Sequence, residues 1–137
     1  MASLLIKGGR VISPEDALDG VLDVLVENGV VRQIAPGVVT RSDETIDAEG
    51  LVVCPGFVDL HAHLRVPGGE ISETMETGLA AAVAGGFTSV CTMPNTRPVN
   101  DNPLSTRALI ERGREIGLAR VFPIAAVSKG SDGAELT

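Results

Sequence analysis

Hydrophobic and polar positions along the chain change rhythm once, near residue 55. Before that point short apolar runs alternate with turn residues. Leu4-Leu5-Ile6 precedes Gly8-Gly9, Arg10-Val11-Ile12 precedes Ser13-Pro14, and Asp23-Val24-Leu25-Val26 precedes Glu27-Asn28-Gly29. Another run occupies residues 30–35, and Ile46 and Leu51-Val52-Val53 mark two more. Asn-Gly between two β-branched runs predicts a hairpin, because both residues tolerate positive φ. Residues 1–54 are expected to form a small unit of short β-strands.

From about residue 56 strand-like and helix-like patterns alternate. Phe57-Val58-Asp59-Leu60-His61 reads as a strand that ends in histidines. Residues 73–83 are rich in Ala, Glu, Met and Leu and predict a helix, which Gly85-Gly86 stops. Glu73 and Glu76 then stand in its first turns as solvent residues favoured by the helix dipole. Residues 88–93 give the next strand, ended by Pro94-Asn95. Asn102-Pro103 fits the cap and first position of a second helix that stops at Gly117 and turns Leu104, Ala108, Leu109 and Ile116 to one side. Residues 119–126 predict a third strand, and residues 128–133 a polar turn. A β-rich segment followed by β-α-β-α-β implies an α/β fold with a parallel sheet. Three strands and two helices begin either an open doubly wound sheet or an eight-stranded barrel. A barrel needs roughly 250 residues, so on that reading the chain is an incomplete barrel.

Composition narrows the function. With 137 residues, 44% hydrophobic and 21% charged, the chain has enough apolar material for a core. A net charge of −7 without any basic run argues against nucleic acid as a partner. An anionic small molecule is still accommodated, because one Arg can pair with one carboxylate. No apolar stretch approaches the ~20 residues of a membrane span, and no cleavable leader pattern opens the chain, so a cytoplasmic protein is expected. Cys54 and Cys91 each lie in an apolar run and are expected to be buried free thiols of a reducing compartment.

The chemistry concentrates at residues 55–65. His61 and His63 are the two histidines of the chain. On a strand, residues i and i+2 share a face, so both imidazoles can converge on one divalent ion, for which neutral imidazole is a suitable ligand. Their place at the C-terminal end of a strand is where α/β active sites lie. Asp59 shares the face by the same alternation and is a candidate to orient an imidazole. Arg65 continues the alternation and could hold a substrate carboxylate, or pair with a surface Glu. Asn95 follows the neighbouring strand and could donate to the same carboxylate, or cap a turn before Pro98. The Gly-Gly pairs lack phosphate-loop spacing, and no serine-nucleophile elbow is present.

Three stretches together resemble the dihydroorotase family of the amidohydrolase superfamily: Pro55-Gly56-Phe57-Val58-Asp59-Leu60-His61-Ala62-His63-Leu64-Arg65, Ala84-Gly85-Gly86-Phe87-Thr88-Ser89-Val90, and Met93-Pro94-Asn95-Thr96-Arg97-Pro98. The opening Leu5-Ile6-Lys7-Gly8-Gly9-Arg10-Val11-Ile12 is similar to the family's start. The resemblance implies the start of a (β/α)8 TIM-like barrel (residues 55–137) preceded by a small β-sandwich segment (residues 1–54). It implies a zinc pair, with His61 and His63 on one ion, and His63, Arg65 and Asn95 at the substrate. The implied reaction is reversible closure of N-carbamoyl-aspartate to dihydroorotate in pyrimidine synthesis, by metal-activated attack on an amide with a carboxylate shuttling the proton. The remaining metal ligands and the catalytic Asp would lie beyond residue 137, so the isolated chain is expected to be inactive and poorly stable, with an open barrel edge. Where the family commonly has Glu after the motif Arg, this chain has Val66. Another cyclic amidase (hydantoinase or allantoinase) and a non-catalytic scaffold subunit are the competing readings. A second copy of the chain and aspartate transcarbamoylase are the implied protein partners.

Overall fold

The computed structural model describes residues 2–137, which fall into two compact units, Met1–Pro55 and Gly56–Thr137. In the first unit β1 (Ser3–Ser13), β2 (Leu18–Glu27) and β3 (Val30–Ala35) form an antiparallel meander, and β4 (Glu44–Asp47) and β5 (Val52–Val53) pair with β1 in parallel. The predicted Asn28-Gly29 hairpin joins β2 to β3, with both residues at positive φ, 52° and 76°. Leu5, Leu25 and Val38 form its buried cluster.

The two short strands expected on either side of Gly8-Gly9 are instead one strand of 11 residues. Opposite β2, Ile6 pairs with Val24 and Gly9 with Leu22, so β1 carries one extra residue in a bulge. Asp23 holds that bulge. Its carboxylate is buried and accepts the Gly8 N–H and the Val38 N–H, each at 2.8 Å. A side chain from the next strand thus satisfies a backbone group that the bulge takes out of the ladder.

In the second unit β6 (Phe57–Ala62), β7 (Phe87–Thr92) and β8 (Arg120–Pro123) make a parallel sheet in that order, with β6 and β8 at its edges. Helices α1 (Met75–Ala84) and α2 (Pro103–Ile116) link them. One core collects Leu64, Met75, Leu79, Val90, Leu109, Ala119 and Val121. Helix α1 begins later than the residue pattern predicts, because Thr74 is its cap: the Thr74 and Thr77 side chains each bond the other's backbone N–H. Glu73 therefore precedes the helix, while Glu76, in the first turn, pairs with Arg112 of α2.

Asn102 caps α2 as expected, accepting from the N–H groups of Leu104 and Ser105, and left-handed Gly117 ends it. Its buried stripe differs from the expected one. Leu109 and Gly113 are buried and Ile116 packs on the core, whereas Leu104 is 78% exposed. A Cβ on Gly113 would stand 2.6 Å from Val121, so the helix meets β8 at a glycine, and Leu104 is rotated off that contact. Strand β8 is shorter than residues 119–126: Ile124 N–H still donates to the Thr92 carbonyl of β7 at 2.9 Å, but beyond it the backbone turns to Asn100, whose carbonyl accepts from Ala126 N–H at 2.8 Å.

Replacing Asp23 with Ala leaves two backbone donors without partners and is expected to destabilise the chain by about 2–5 kcal/mol in urea unfolding. Asp19→Ala, which removes only an exposed pair with Arg10, is expected to shift the midpoint far less.

Candidate metal centre

Ala62 and Leu64 pack into the helix-covered core. His61 in β6 and His63 just past its end are the residues that alternate with them, and so take the other face. Their Nε2 atoms lie 3.3 Å apart, with the rings tilted by 59°. Two ligand atoms at 2.0–2.1 Å from a tetrahedral zinc are separated by about 3.3–3.4 Å, so the spacing fits a shared ion. Among the described residues no third His, Cys, Asp or Glu joins them in a metal-binding group. Two such nitrogens are half the number of ligands that a closed tetrahedral zinc site needs.

Asn95, in the loop after β7, orients one imidazole. His63 Nδ1 stands 2.9 Å from Asn95 Oδ1. An amide oxygen only accepts, so in this contact Nδ1 is the donor, and Nε2 is the ring nitrogen turned toward the neighbouring histidine. Such an outer hydrogen bond fixes the tautomer of a metal-binding histidine. The Asn95 Nδ2, at the other end of the amide, remains available to an incoming acceptor.

Asp59 behaves differently from the alternation argument. Asp59 pairs with Val90 and Ala62 with Thr92, so β6 takes three steps where β7 takes two. This bulge interrupts the alternation between Asp59 and the histidines. The Asp59 carboxylate accepts the backbone N–H of His61 at 2.9 Å, and so supports the backbone that carries His61. Orienting an imidazole, expected of Asp59, falls to Asn95.

Arg65 is exposed, at φ +59°, and among the described residues its guanidinium makes no ion pair. A non-glycine residue in the left-handed region carries strain that the surrounding loop has to offset. Loop contacts supply that support. The Arg97 N–H donates to the Pro67 carbonyl at 2.9 Å, and a Cβ on Gly68 would stand 2.3 Å from the Arg97 carbonyl oxygen. The loops that follow β6 and β7 are thereby joined, and with them the segments bearing Arg65 and Asn95. Gly68 also donates its N–H to both Glu70 oxygens at 2.9 Å, and this bond, before that of Glu70's own N–H, holds the Glu70 carboxyl below its usual range. Val66, at the position the motif commonly fills with Glu, packs against the core. Asn100, which no motif marked, is buried at the base of the Asn95 loop.

Comparison with known proteins places these features. The Dihydro-orotase-like family matches residues 50–137. The chain is 52% identical over 132 residues to a dihydroorotase from Geobacter metallireducens, covering 96% of this chain and 31% of that protein. It is 53% identical over 135 residues to a dihydroorotase from Pelobacter propionicus, covering 98% of this chain and 32% of that one. Among solved structures, an L-hydantoinase (dihydropyrimidinase) from Arthrobacter aurescens superposes with a TM-score of 0.77 at 26% identity, over 93% of this chain and 28% of that one. The chain thus spans about a third of the length of the curated relatives it matches.

Gly68→Ala meets both a positive φ of 90° and a backbone oxygen, so it is expected to separate the two loops. A fall of about 2 kcal/mol or more in stability should accompany it, measured by chemical denaturation, together with faster amide exchange at Arg97.

Proposed function

The chain belongs to the dihydro-orotase-like family, and on that premise we propose that it supplies the first strands and half of one metal's ligands to a dihydroorotase. Residues 1–54 act as the β-sandwich segment, and residues 55–137 as the opening of a (β/α)8 barrel. The reaction is the reversible cyclisation of N-carbamoyl-aspartate to dihydroorotate, in the cytoplasm. The observation that carries the reading is the pair of Nε2 atoms 3.3 Å apart, with the His63 ring fixed by Asn95.

His61 and His63 would hold one ion of a zinc pair. When bound, the metal polarises the amide carbonyl and lowers the pKa of the water that attacks it. The chain's own residues do the rest of what falls to this part of the site. His63 Nδ1 donates to the Asn95 amide oxygen, which leaves Nε2 as the nitrogen that would bind the metal. The Arg65 guanidinium offers two parallel N–H groups to a carboxylate, and Asn95 Nδ2 offers a third. Both groups stand in loops joined through Arg97 and Pro67, so substrate orientation is set without reordering either loop. A second copy of the chain, and aspartate transcarbamoylase, are proposed assembly partners. No described helix is long and apolar enough to cross a membrane.

The structural likeness to an L-hydantoinase favours one second reading, a cyclic amidase acting on hydantoin-type rings. Arg65 and Asn95 speak for the acidic substrate, since an uncharged ring would leave the guanidinium unpaired.

In the full protein, His61→Ala and His63→Ala are expected to lower zinc content and abolish turnover, read by elemental analysis and by dihydroorotate hydrolysis. Retained stoichiometric zinc in both variants would refute the ligand assignment. Arg65→Met is expected to raise KM for dihydroorotate by about 10–100-fold, the weight of a charge-assisted pair, with a smaller change in kcat. Faster hydrolysis of hydantoin or allantoin than of dihydroorotate would favour the second reading. Residues 1–137 alone are expected to show no turnover, because two imidazoles do not close a catalytic zinc site.

A further inference from the structure

We infer that Asn100 is a positioning residue for the metal centre: it holds the loop that places Asn95 on His63, and so fixes the orientation of the His63 ring. The inference rests on the metal-site reading above.

Asn100 is 1% exposed and stands with Met75, Leu79 and Val90 among the most completely buried large side chains. A primary amide in such surroundings costs free energy unless its polar atoms are paired. Every polar atom of Asn100 has a partner. The backbone N–H donates to the Pro94 carbonyl at 3.0 Å, and its own carbonyl accepts from Ala126 N–H at 2.8 Å. Nδ2 donates to the Ile124 carbonyl at 2.9 Å, and Oδ1 accepts from the Ser105 and Thr106 hydroxyls, both at 2.8 Å. One residue thus ties the loop after β7 to the first turn of α2 and to the chain that follows β8.

Pro94 immediately precedes Asn95. Its carbonyl accepts from Asn100 N–H, from Thr96 N–H at 2.8 Å and from the Thr96 hydroxyl at 3.3 Å, so the peptide unit entering Asn95 is held by two residues. The Asn95 side chain itself is exposed, and little besides its backbone and the bond to His63 restricts its rotamer. A shift at Pro94 of about an ångström lengthens a 2.9 Å bond past the range in which it counts as a hydrogen bond. Without that acceptor the His63 ring loses the outer hydrogen bond that sets its orientation and selects its tautomer, and with it the aim of Nε2.

The test uses the metal-free full protein at about pH 8, where imidazole is neutral, with the His63 ring nitrogens read by long-range 15N NMR. The parent is expected to hold the Nδ1–H tautomer, and Asn95→Ala to lose it. Asn100→Asp keeps the shape and the acceptors for Ser105 and Thr106 but removes the donor to Ile124. It is expected to give mixed tautomers and a zinc affinity about tenfold lower, the scale of an outer-partner loss. Should Asn100→Asp fail to fold, Thr106→Val, which deletes one hydroxyl from the same amide, is expected to move both readouts in the same direction by less. A lowered unfolding midpoint with tautomer and zinc affinity unchanged, in whichever of the two folds, makes Asn100 a structural residue only and overturns the inference. An unchanged tautomer in Asn95→Ala likewise overturns the inference, whereas retained zinc in His61→Ala and His63→Ala would overturn the metal-site reading.

Discussion

Two imidazole nitrogens 3.3 Å apart cannot face each other with two lone pairs without repulsion, so the spacing calls for a proton or a cation between them. That requirement organises the second unit. The histidines reach this distance because one lies in β6 and the other just past it, with Ala62 and Leu64 between and after them anchored in the core. Buried apolar residues thereby fix where the polar ones point. The core of the unit is small and apolar, and α2 approaches the sheet at a position without a side chain, Gly113 against Val121. Such contacts leave little room for the strands to slide, which is what a site built on strand ends requires.

Much of the fold was legible where a single local signal decides the outcome. Asn28-Gly29 specifies its turn through positive φ, and Asn102-Pro103 with Gly117 brackets α2 through caps that need no distant partner. Legibility ended where the deciding group comes from elsewhere in the chain. Nothing around Gly8-Gly9 announces that Asp23 will keep β1 continuous. The exposure of Leu104 follows from how α2 meets β8, which helical periodicity alone does not orient. Thr74 rather than Glu73 begins α1, because a reciprocal threonine cap outweighs composition.

The candidate site divides along the same line. His61 and His63 were visible as a spacing on a strand, and Arg65 and Asn95 as polar residues at neighbouring strand ends. The pairing of Asn95 with His63 was not, since it spans 32 positions. Asp59 was assigned by strict alternation, which the β6 bulge interrupts. Asn100 left no trace, because a buried amide and a surface amide are the same letter in a sequence.

The Asn95 amide has a further consequence. Its oxygen holds the ring proposed to face an ion, while its nitrogen, at the other end of the amide, is the group proposed to meet an anion. One rigid, planar group serving both neighbours makes their occupancies thermodynamically linked. Whatever factor the ion adds to anion affinity, the anion must return to the ion. Cooperativity between cofactor and ligand would then need no moving domain, only the polarisation and orientation of a single carboxamide.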